Sequence, residues 1–248
     1  MGQWAFPNLH RASSFRHMTP RRAPRDILVP PERRAEFSRR LRAWYRRHHR
    51  DLPWRRTRDP YAVLVSELML QQTQVVRVQE FYPRFLARFP TLASLARAPR
   101  ARVMEAWEGL GYYARARNLH ALAKEVDRRG GALPEDPESL RALPGVGAYT
   151  AGAVASFAYE RRAALVDTNV ARVLRRAFAP RLDAAHGGGM RALWRLAERL
   201  LPRQGRAAYA HNQALMELGA LVCTARRAHC AACPVRRVCR TGSRAARA

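Results

Sequence analysis

The four cysteines of this 248-residue chain constrain its fold more than any other feature, because they all lie in its last tenth. They follow the pattern C-x6-C-x2-C-x5-C, at Cys223, Cys230, Cys233 and Cys239, with Pro234 directly after the third. Thiolates this crowded indicate one tetra-thiolate metal site and exclude an extended disulfide framework. Zinc ribbons more often carry two separated C-x2-C knuckles. One knuckle with unequal arms therefore favours a [4Fe–4S] cluster, with zinc as the alternative.

The net charge of the chain is +27, and nearly all of its positive charge is arginine, since Lys124 is the only lysine. An excess of this size favours a polyanionic partner, and nucleic acid is the first candidate. No run of about 20 apolar residues occurs, so no membrane span is expected. Residues 1–31 are predicted to form a basic, disordered arm without the apolar stretch of a secretory signal. Thiolates that bind a metal need a reducing compartment, so a cytoplasmic protein is expected.

Apolar residues recur at helical spacing from about Glu32 onward and are interrupted by proline and glycine at short intervals. No alternating strand pattern occurs, so an all-α fold with short loops is predicted. Asp59 followed by Pro60 predicts an N-cap and a first-turn proline at one helix start. The predicted helices span residues 33–49, 60–71, 74–88, 91–97, 100–107, 113–129, 136–142, 148–158, 168–178, 188–201 and 206–221.

A glycine-containing hairpin joins two of these helices over residues 140–151, with the sequence Leu-Pro-Gly-Val-Gly at its centre. Gly145 and Gly147 allow a tight turn and a close approach of the backbone to another molecule. The second helix starts just after Gly147, so its free N–H groups can bind a DNA phosphate. A plain turn between helices is the alternative for the motif on its own.

Two carboxylates stand out as candidates for acid and electrostatic catalysis. Glu67 is the single acid in the apolar run of residues 61–70, so a poorly solvated position with a raised pKa is expected. An exposed position on the opposite face of the helix is the alternative. Asp167 precedes the helix that starts at Thr168 and is expected to cap it in ionised form. A protonated and an ionised carboxylate together suit cleavage of a glycosidic bond.

Several longer motifs of the chain resemble those of MutY-type adenine DNA glycosylases, which belong to the endonuclease III superfamily of helix–hairpin–helix glycosylases. The cysteine spacing and the hairpin fit the same superfamily, and the resemblance covers residues 36–240. It implies a monomeric base-excision-repair enzyme that acts on double-stranded DNA with a mispaired or damaged base, associated with the nucleoid. The motifs occupy residues 52–55, 66–75, 109–120, 143–147, 166–170 and 217–220.

The resemblance also implies a two-lobed fold with a C-terminal iron–sulfur cluster loop. A six-helix barrel lobe carrying the hairpin is expected over residues 56–164. A cluster lobe is expected to combine residues 32–55 with residues 165–248, which include the catalytic aspartate and the four cysteines.

Within the site, the resemblance implies Glu67 as the acid that protonates adenine at N7 and Asp167 as the carboxylate that stabilises the sugar cation. Tyr149, Asn169 and Arg55 are implied to line the same pocket. The residues expected to contact DNA are Gln72 and Tyr112, which enter the base stack, together with Gly145, Gly147, Arg226 and Arg227.

The position of the hairpin tyrosine bears on the type of reaction. Bifunctional members of the superfamily carry a nucleophilic lysine two residues after the last hairpin glycine, where this chain has Tyr149. Lys124 is the only lysine and is remote from that position in the sequence. Monofunctional hydrolysis, without cleavage of the strand, is therefore expected.

The resemblance implies adenine mispaired with guanine or 8-oxoguanine as the substrate, but the chain departs from the family pattern at two points. Thr168 stands where the family usually has glycine, a small change that we expect to be tolerated. The sequence ends nine residues after Cys239, whereas typical members continue into a domain that reads 8-oxoguanine. A thymine/uracil–guanine mismatch glycosylase, which also has tyrosine after the hairpin, is the alternative. A non-catalytic DNA-binding protein with the same fold is a more remote one.

Overall fold

A computed structural model describes residues 27–184 and 187–244 of the chain. These residues form helices joined by short loops and contain no β-strand, which confirms the predicted all-α class. Three single 3₁₀ turns lie at Pro53–Arg55, Cys230–Ala232 and Arg236–Val238. The helices are α1 Pro31–His48, α2 Pro60–Leu70, α3 Val75–Arg88, α4 Leu92–Arg97, α5 Arg100–Ala106, α6 Ala114–Arg128, α7 Pro137–Arg141, α8 Ala148–Phe157, α9 Thr168–Phe178, α10 Gly187–Leu200, α11 Gly205–Leu221 and α12 Arg240–Arg244.

The helix starts follow the local capping chemistry of the sequence. Asp59 caps α2 by accepting a hydrogen bond from the backbone N–H of Tyr61, and Pro60 is the first helical residue. The predicted bounds differ from the observed ones by at most two residues, and those of α9 coincide. The largest difference is at α1, which starts at Pro31 instead of residue 33, because a proline fits the first helical position. Helix α12 was not predicted.

Helices α2 and α8 form the centre of the core. Every residue of α2 from Tyr61 to Met69 is buried, and so is every residue of α8 from Thr150 to Phe157. Gly152 lets α8 pack closely against the segment that follows it, since a Cβ there would lie 2.1 Å from the carbonyl oxygen of Ala164. Helix α8 also packs directly against α2, and the functional candidates of the two helices, Tyr149 and Glu67, meet there through a hydrogen bond.

The N-terminal helix α1 packs against α11 and α10, far along the chain. Buried Ser38 and His211 join α1 to α11 through a 3.0 Å hydrogen bond between Oγ and Nδ1. Helix α9 also contacts α10, α11 and α12, so the first helix and the last four are packed together.

The predicted lobe boundaries stay a prediction. Most of the predicted basic arm, residues 1–26, lies outside the described residues. Among the described helices, none combines the length and the apolar character needed to cross a membrane.

Candidate active site

A cavity of about 520 Å³ lies between α2, α8, α9, α11 and the segment of residues 50–55. Because these elements come from distant parts of the chain, the cavity exists only in the folded protein. Six of the side chains predicted from the sequence line it, namely Arg55, Glu67, Gln72, Tyr149, Asp167 and Asn169.

Glu67 reaches the cavity from the buried face of α2, and its residue is only 3% exposed. The hydroxyl of Tyr149 donates a 2.8 Å hydrogen bond to its Oε2 atom. Burial raises the pKa of Glu67 to about 7, against the lowering effect of this hydrogen bond. Burial also raises the pKa of Tyr149 well above its ordinary value, so the phenol keeps its proton. The predicted buried position of Glu67 is therefore observed, and its raised pKa makes a neutral carboxyl group available near neutral pH.

Asp167 caps α9, as the sequence predicted, and presents its carboxylate to the cavity. Its Oδ1 atom accepts a 2.6 Å hydrogen bond from the backbone N–H of Val170. Its Oδ2 atom accepts a 3.0 Å hydrogen bond from the side-chain amide of Asn169. The cavity therefore holds two carboxyl groups, that of Glu67, whose pKa burial raises, and that of Asp167, which two N–H donors hold in place.

Glu217 also lines the cavity, and the sequence analysis assigned it no role. This fully buried carboxylate accepts hydrogen bonds from the backbone and guanidinium of Arg50, and one of 2.7 Å from Arg55. Burial acts to raise the pKa of Glu217, but the arginine hydrogen bonds outweigh it and lower the pKa to about 2. Like Glu67, it is an acid within an apolar stretch, so the same sequence criterion applied to α11 would have found it.

The four cysteines line a second cavity of about 230 Å³ near α9 and α12. None of them forms a disulfide. In residues 27–184 and 187–244, no three His, Cys, Asp or Glu side chains are arranged to hold a single metal ion. The four cysteines share the lining of this one cavity. Burial raises the pKa of Cys233 to about 11, so a bound cation is needed to keep this thiol ionised at neutral pH. This donor set fits a four-thiolate cluster.

One arginine side chain joins the two cavities, which the sequence did not predict. The guanidinium of Arg172 donates a 2.7 Å hydrogen bond to Oδ1 of Asn169, the residue that contacts Asp167. It also donates a 2.8 Å hydrogen bond to the carbonyl of Cys223. The neighbouring Arg176 approaches Sγ of Cys223 within 3.4 Å. The orientation of the Asp167 carboxylate is therefore linked, through two side chains, to the cysteine loop.

The hairpin between α7 and α8 has the backbone geometry that its glycines predicted. Gly145 has a φ of +74°, and a Cβ there would lie 2.5 Å from Cβ of Asn118, so a side chain cannot be accommodated. Gly147 is the N-cap of α8. No side chain caps the helix there, and the space where a Cβ would lie is open. The first N–H groups of α8 are thus accessible. Gly145 and Gly147 do not line the larger cavity, whereas Tyr149 of the same hairpin does.

The two residues predicted to enter the base stack both have left-handed backbone conformations, with φ of 56° at Gln72 and 47° at Tyr112. Gln72 is exposed and lines the larger cavity, whereas Tyr112 is 60% exposed and does not line it. Arg226 and Arg227 are exposed in the loop between Cys223 and Cys230. The DNA-contact candidates are therefore all at the surface.

Comparison with known proteins places this fold in a family. Residues 65–199 match the HhH-GPD superfamily base excision DNA repair protein family. The chain is 45% identical over 218 residues to an adenine DNA glycosylase of Rattus norvegicus, which covers 84% of this chain and 42% of the relative. It is 48% identical over 197 residues to an adenine DNA glycosylase of Mycobacterium tuberculosis, which covers 79% of this chain and 64% of the relative.

A solved structure of a thermostable thymine-DNA glycosylase superposes with a TM-score of 0.78 and 32% sequence identity, covering 86% of this chain and 98% of that one. The chain thus spans about two fifths of the length of its mammalian relatives and nearly all of this structural neighbour. By its sequence match over more than half of its residues and by its fold, the chain belongs to the HhH-GPD superfamily of base excision DNA repair proteins.

Proposed function

We propose that the chain is a DNA glycosylase that hydrolyses the N-glycosidic bond of adenine mispaired with guanine or 8-oxoguanine. The observation that carries the proposal is the pair of carboxyl groups in one cavity, Glu67 with a pKa of about 7 and Asp167 with two hydrogen-bond donors. The relatives described as adenine DNA glycosylases support the choice of base.

In the proposed mechanism, the neutral carboxyl group of Glu67 transfers its proton to a ring nitrogen of the adenine. The bond between this base and the sugar carbon C1′ then breaks, and the electron pair leaves with the base. The carboxylate of Asp167 stabilises the positive charge that develops on the sugar. A water molecule adds to C1′ and returns a proton to Glu67. Tyr149 orients the carboxyl of Glu67, and Asn169 orients that of Asp167. Arg55, held by Glu217, fixes the wall of the pocket.

Strand cleavage is not part of the proposed reaction. A covalent Schiff-base intermediate requires an amine beside the sugar, and position 149 holds a tyrosine. Lys124, the only lysine, is exposed on α6 and does not line the cavity. The expected product is therefore an intact strand with an abasic site.

Single-turnover assays on matched duplexes test this proposal. Duplexes with A·G, A·8-oxoguanine, T·G or U·G are incubated with excess protein, with and without later treatment with alkali. Adenine release that is visible only after alkali, with no adduct trapped by borohydride, is the expected result. Strand nicking without alkali contradicts the monofunctional mechanism. Release of thymine or uracil in place of adenine favours the mismatch alternative, which the thymine-DNA glycosylase structure supports.

We further propose that the protein acts as a monomer in the cytoplasm, on DNA of the nucleoid. We also propose that the hairpin binds a DNA phosphate at the start of α8. The expected test variant is Gly147→Asp, compared with Gly147→Ala. Both side chains fit the open space at this position, and aspartate is a good N-cap, so the fold is expected to persist. The aspartate should repel a phosphate and weaken binding, whereas alanine should not.

Binding is measured by titration of a labelled duplex at several salt concentrations. The wild-type affinity should fall steeply with salt, since each neutralised phosphate adds roughly 0.9 to the log–log slope. The slope of the Gly147→Asp variant should be smaller, and that of Gly147→Ala close to wild type. Equal affinities for all three proteins would show that the hairpin is a plain turn.

We propose that the four cysteines bind a [4Fe–4S] cluster. When bound, this group supplies four metal–thiolate bonds that fix the loop of residues 223–239, and a centre able to carry one electron. We expect the purified protein to be brown and to contain about four irons and four sulfides per chain. Replacing Cys233 with serine should lower the iron content and weaken DNA binding, because the loop that presents Arg226 and Arg227 loses its support. A colourless, active protein with one zinc ion is the contrary outcome.

A further inference from the structure

The two loops that carry Gln72 and Tyr112 are attached to the same buried side chain, that of Arg115 on α6. Only 6% of this residue is exposed. The five N–H groups of its guanidinium lie within hydrogen-bonding distance of seven acceptors in residues 68–73 and 110–112, so some N–H groups are shared between acceptors. The acceptors are the carbonyl oxygens of Leu68 (2.9 Å), Met69 (2.7 Å), Gln71, Leu110 (3.2 Å), Gly111 (3.1 Å) and Tyr112 (3.5 Å) and the hydroxyl of Thr73 (3.1 Å).

The charge of Arg115 is balanced by these acceptors and not by an acid, because no carboxylate forms an ion pair with it in the part of the chain that the structure describes. Leu68 and Met69 are in the last turn of α2, where helical carbonyls carry partial negative charge. The guanidinium therefore fixes the end of the helix that holds Glu67. The rings of Trp107 and Tyr112 lie 5.5 Å from its centre and complete its surroundings.

The acceptors of Arg115 flank the two residues with unfavourable backbone geometry. Gln72 lies between the carbonyl of Gln71 and the hydroxyl of Thr73, and Tyr112 directly follows the carbonyl of Gly111. Both Gln72 and Tyr112 have positive φ, a conformation that persists in non-glycine residues only where the surroundings impose it. Arg115 supplies that constraint to both loops at once.

We propose that Arg115 is a positioning residue that holds Gln72 and Tyr112 at a fixed separation, and in register with the Glu67 helix, so that the target base can be extruded. The inference rests on the proposed function. It predicts a specific kind of defect, since extrusion is hardest for a base that is stacked and paired. Loss of Arg115 should slow release of a stacked adenine much more than release of an adenine that is already unstacked.

The experiment compares Arg115→Met and Arg115→Lys with the matched variant Arg129→Met. Arg129 directly follows the same helix, is exposed, and forms an ion pair with Glu125 through its side chain. Its replacement therefore removes the same charge at a distance from the two loops. Lysine keeps the charge of Arg115 but lacks the planar set of donors, so Arg115→Lys should behave like Arg115→Met. Thermal unfolding of all variants is recorded alongside.

Base release is measured in single turnovers on an A·8-oxoguanine duplex and on the same sequence with the adenine inside a small bubble. Arg115→Met is expected to slow release from the duplex by on the order of 10²-fold, and from the bubble by about tenfold or less. A defect of equal size on both substrates would mean that Arg115 acts only through Glu67 or the general fold, and would overturn the proposal.

A second readout does not depend on catalysis. With 2-aminopurine in place of the target adenine, and Glu67→Gln present to prevent turnover, saturating protein should raise the fluorescence as the base unstacks. Adding Arg115→Met should remove most of this rise, and an unchanged rise would contradict the inference. If wild type releases no adenine, the proposed function fails by itself, while this fluorescence measurement still tests the role of Arg115.

Thr73→Val keeps the inference testable if the Arg115 variants do not fold. This substitution removes the Thr73 hydroxyl, one of the seven acceptors around Arg115, and keeps the shape of the side chain. A smaller defect with the same preference for the stacked duplex is expected. An equal defect on both substrates in this variant also counts against the proposal.

Discussion

Replacing Glu67 with glutamine is expected to abolish base release and, at alkaline pH, to make the protein more stable. The substitution is nearly isosteric, and a glutamine oxygen can still accept the hydrogen bond from Tyr149. What it removes is the transferable proton, and loss of a general acid typically slows a reaction by about 10²–10⁴-fold. Affinity for a mismatched duplex should stay close to wild type. A variant that releases adenine at the wild-type rate would show that Glu67 is not the acid.

The pH dependence of the wild type should follow the same carboxyl group. Because burial raises the pKa of Glu67 to about 7, the proton is present below this pH and is lost above it. The single-turnover rate should therefore be level in mildly acidic buffer and fall with rising pH above about 7. Binding of the duplex is measured at each pH, so that a loss of affinity is not mistaken for a loss of the proton.

The pH dependence of folding stability that Glu67 contributes is opposite to that of a salt-bridged acid, whose contribution is lost as the pH falls. The pKa of Glu67 rises from 4.5 in the unfolded chain to about 7 in the folded protein, so the folded state holds the proton more tightly. Folding stability is then lost as pH rises from about 4.5 to above 7, and the full loss is about 3 kcal/mol at roughly 1.4 kcal/mol per pKa unit.

Glu67→Gln lacks this titration and should exceed the wild type in free energy of unfolding by up to this amount at pH 8 to 9, with no such pH-linked gain below about 4.5. Urea unfolding at several pH values checks the difference. Glu138→Gln, at an exposed position of α7, is the matched control and should show little change. Parallel stability curves for Glu67→Gln and wild type would mean that the carboxyl is not neutral in the fold.

Asp167→Asn is expected to slow base release by about 10²–10³-fold while leaving the fold nearly as stable as wild type. Asparagine caps a helix about as well as aspartate, so the hydrogen bond to the N–H of Val170 is retained. What disappears is the negative charge that stabilises the sugar cation, together with the hydrogen bond from the Asn169 amide, since an amide NH2 group cannot accept it. Asp167→Ala should show the same loss of rate and an additional loss of about 1 kcal/mol of stability.

A helix cap that lies away from the cavity serves to separate the loss of catalytic charge from the loss of helix capping. Thr91 caps α4 through its side chain and does not line the cavity, so Thr91→Ala should lower stability without slowing base release. The measurements are single-turnover rates and urea unfolding for the three variants. A rate for Asp167→Asn close to wild type, with Asp167→Ala slow and unstable, would show that Asp167 acts only as a helix cap.

The helices and their starts were predictable from local sequence, because they depend on residues a few positions apart. Asp59 with Pro60 starts α2, and Asp167 starts α9, through hydrogen bonds within one turn. The apolar neighbours of Glu67 along α2 favoured a buried acid with a raised pKa over an exposed one, and the packing around α2 decided between the two. The spacing of the cysteines, likewise local, was sufficient to predict one shared site for all four.

Tertiary packing sets which groups from distant parts of the chain meet. Tyr149 reaches Glu67 across 82 residues, and Arg50 reaches Glu217 across 167, because of the way that helix faces pack together. Arg115 and Arg172 look like ordinary basic residues in an arginine-rich chain, yet each holds two separate segments together. The physical reason is that a guanidinium can satisfy any nearby carbonyl, so the identity of its partners is fixed by packing and not by its neighbours in the sequence.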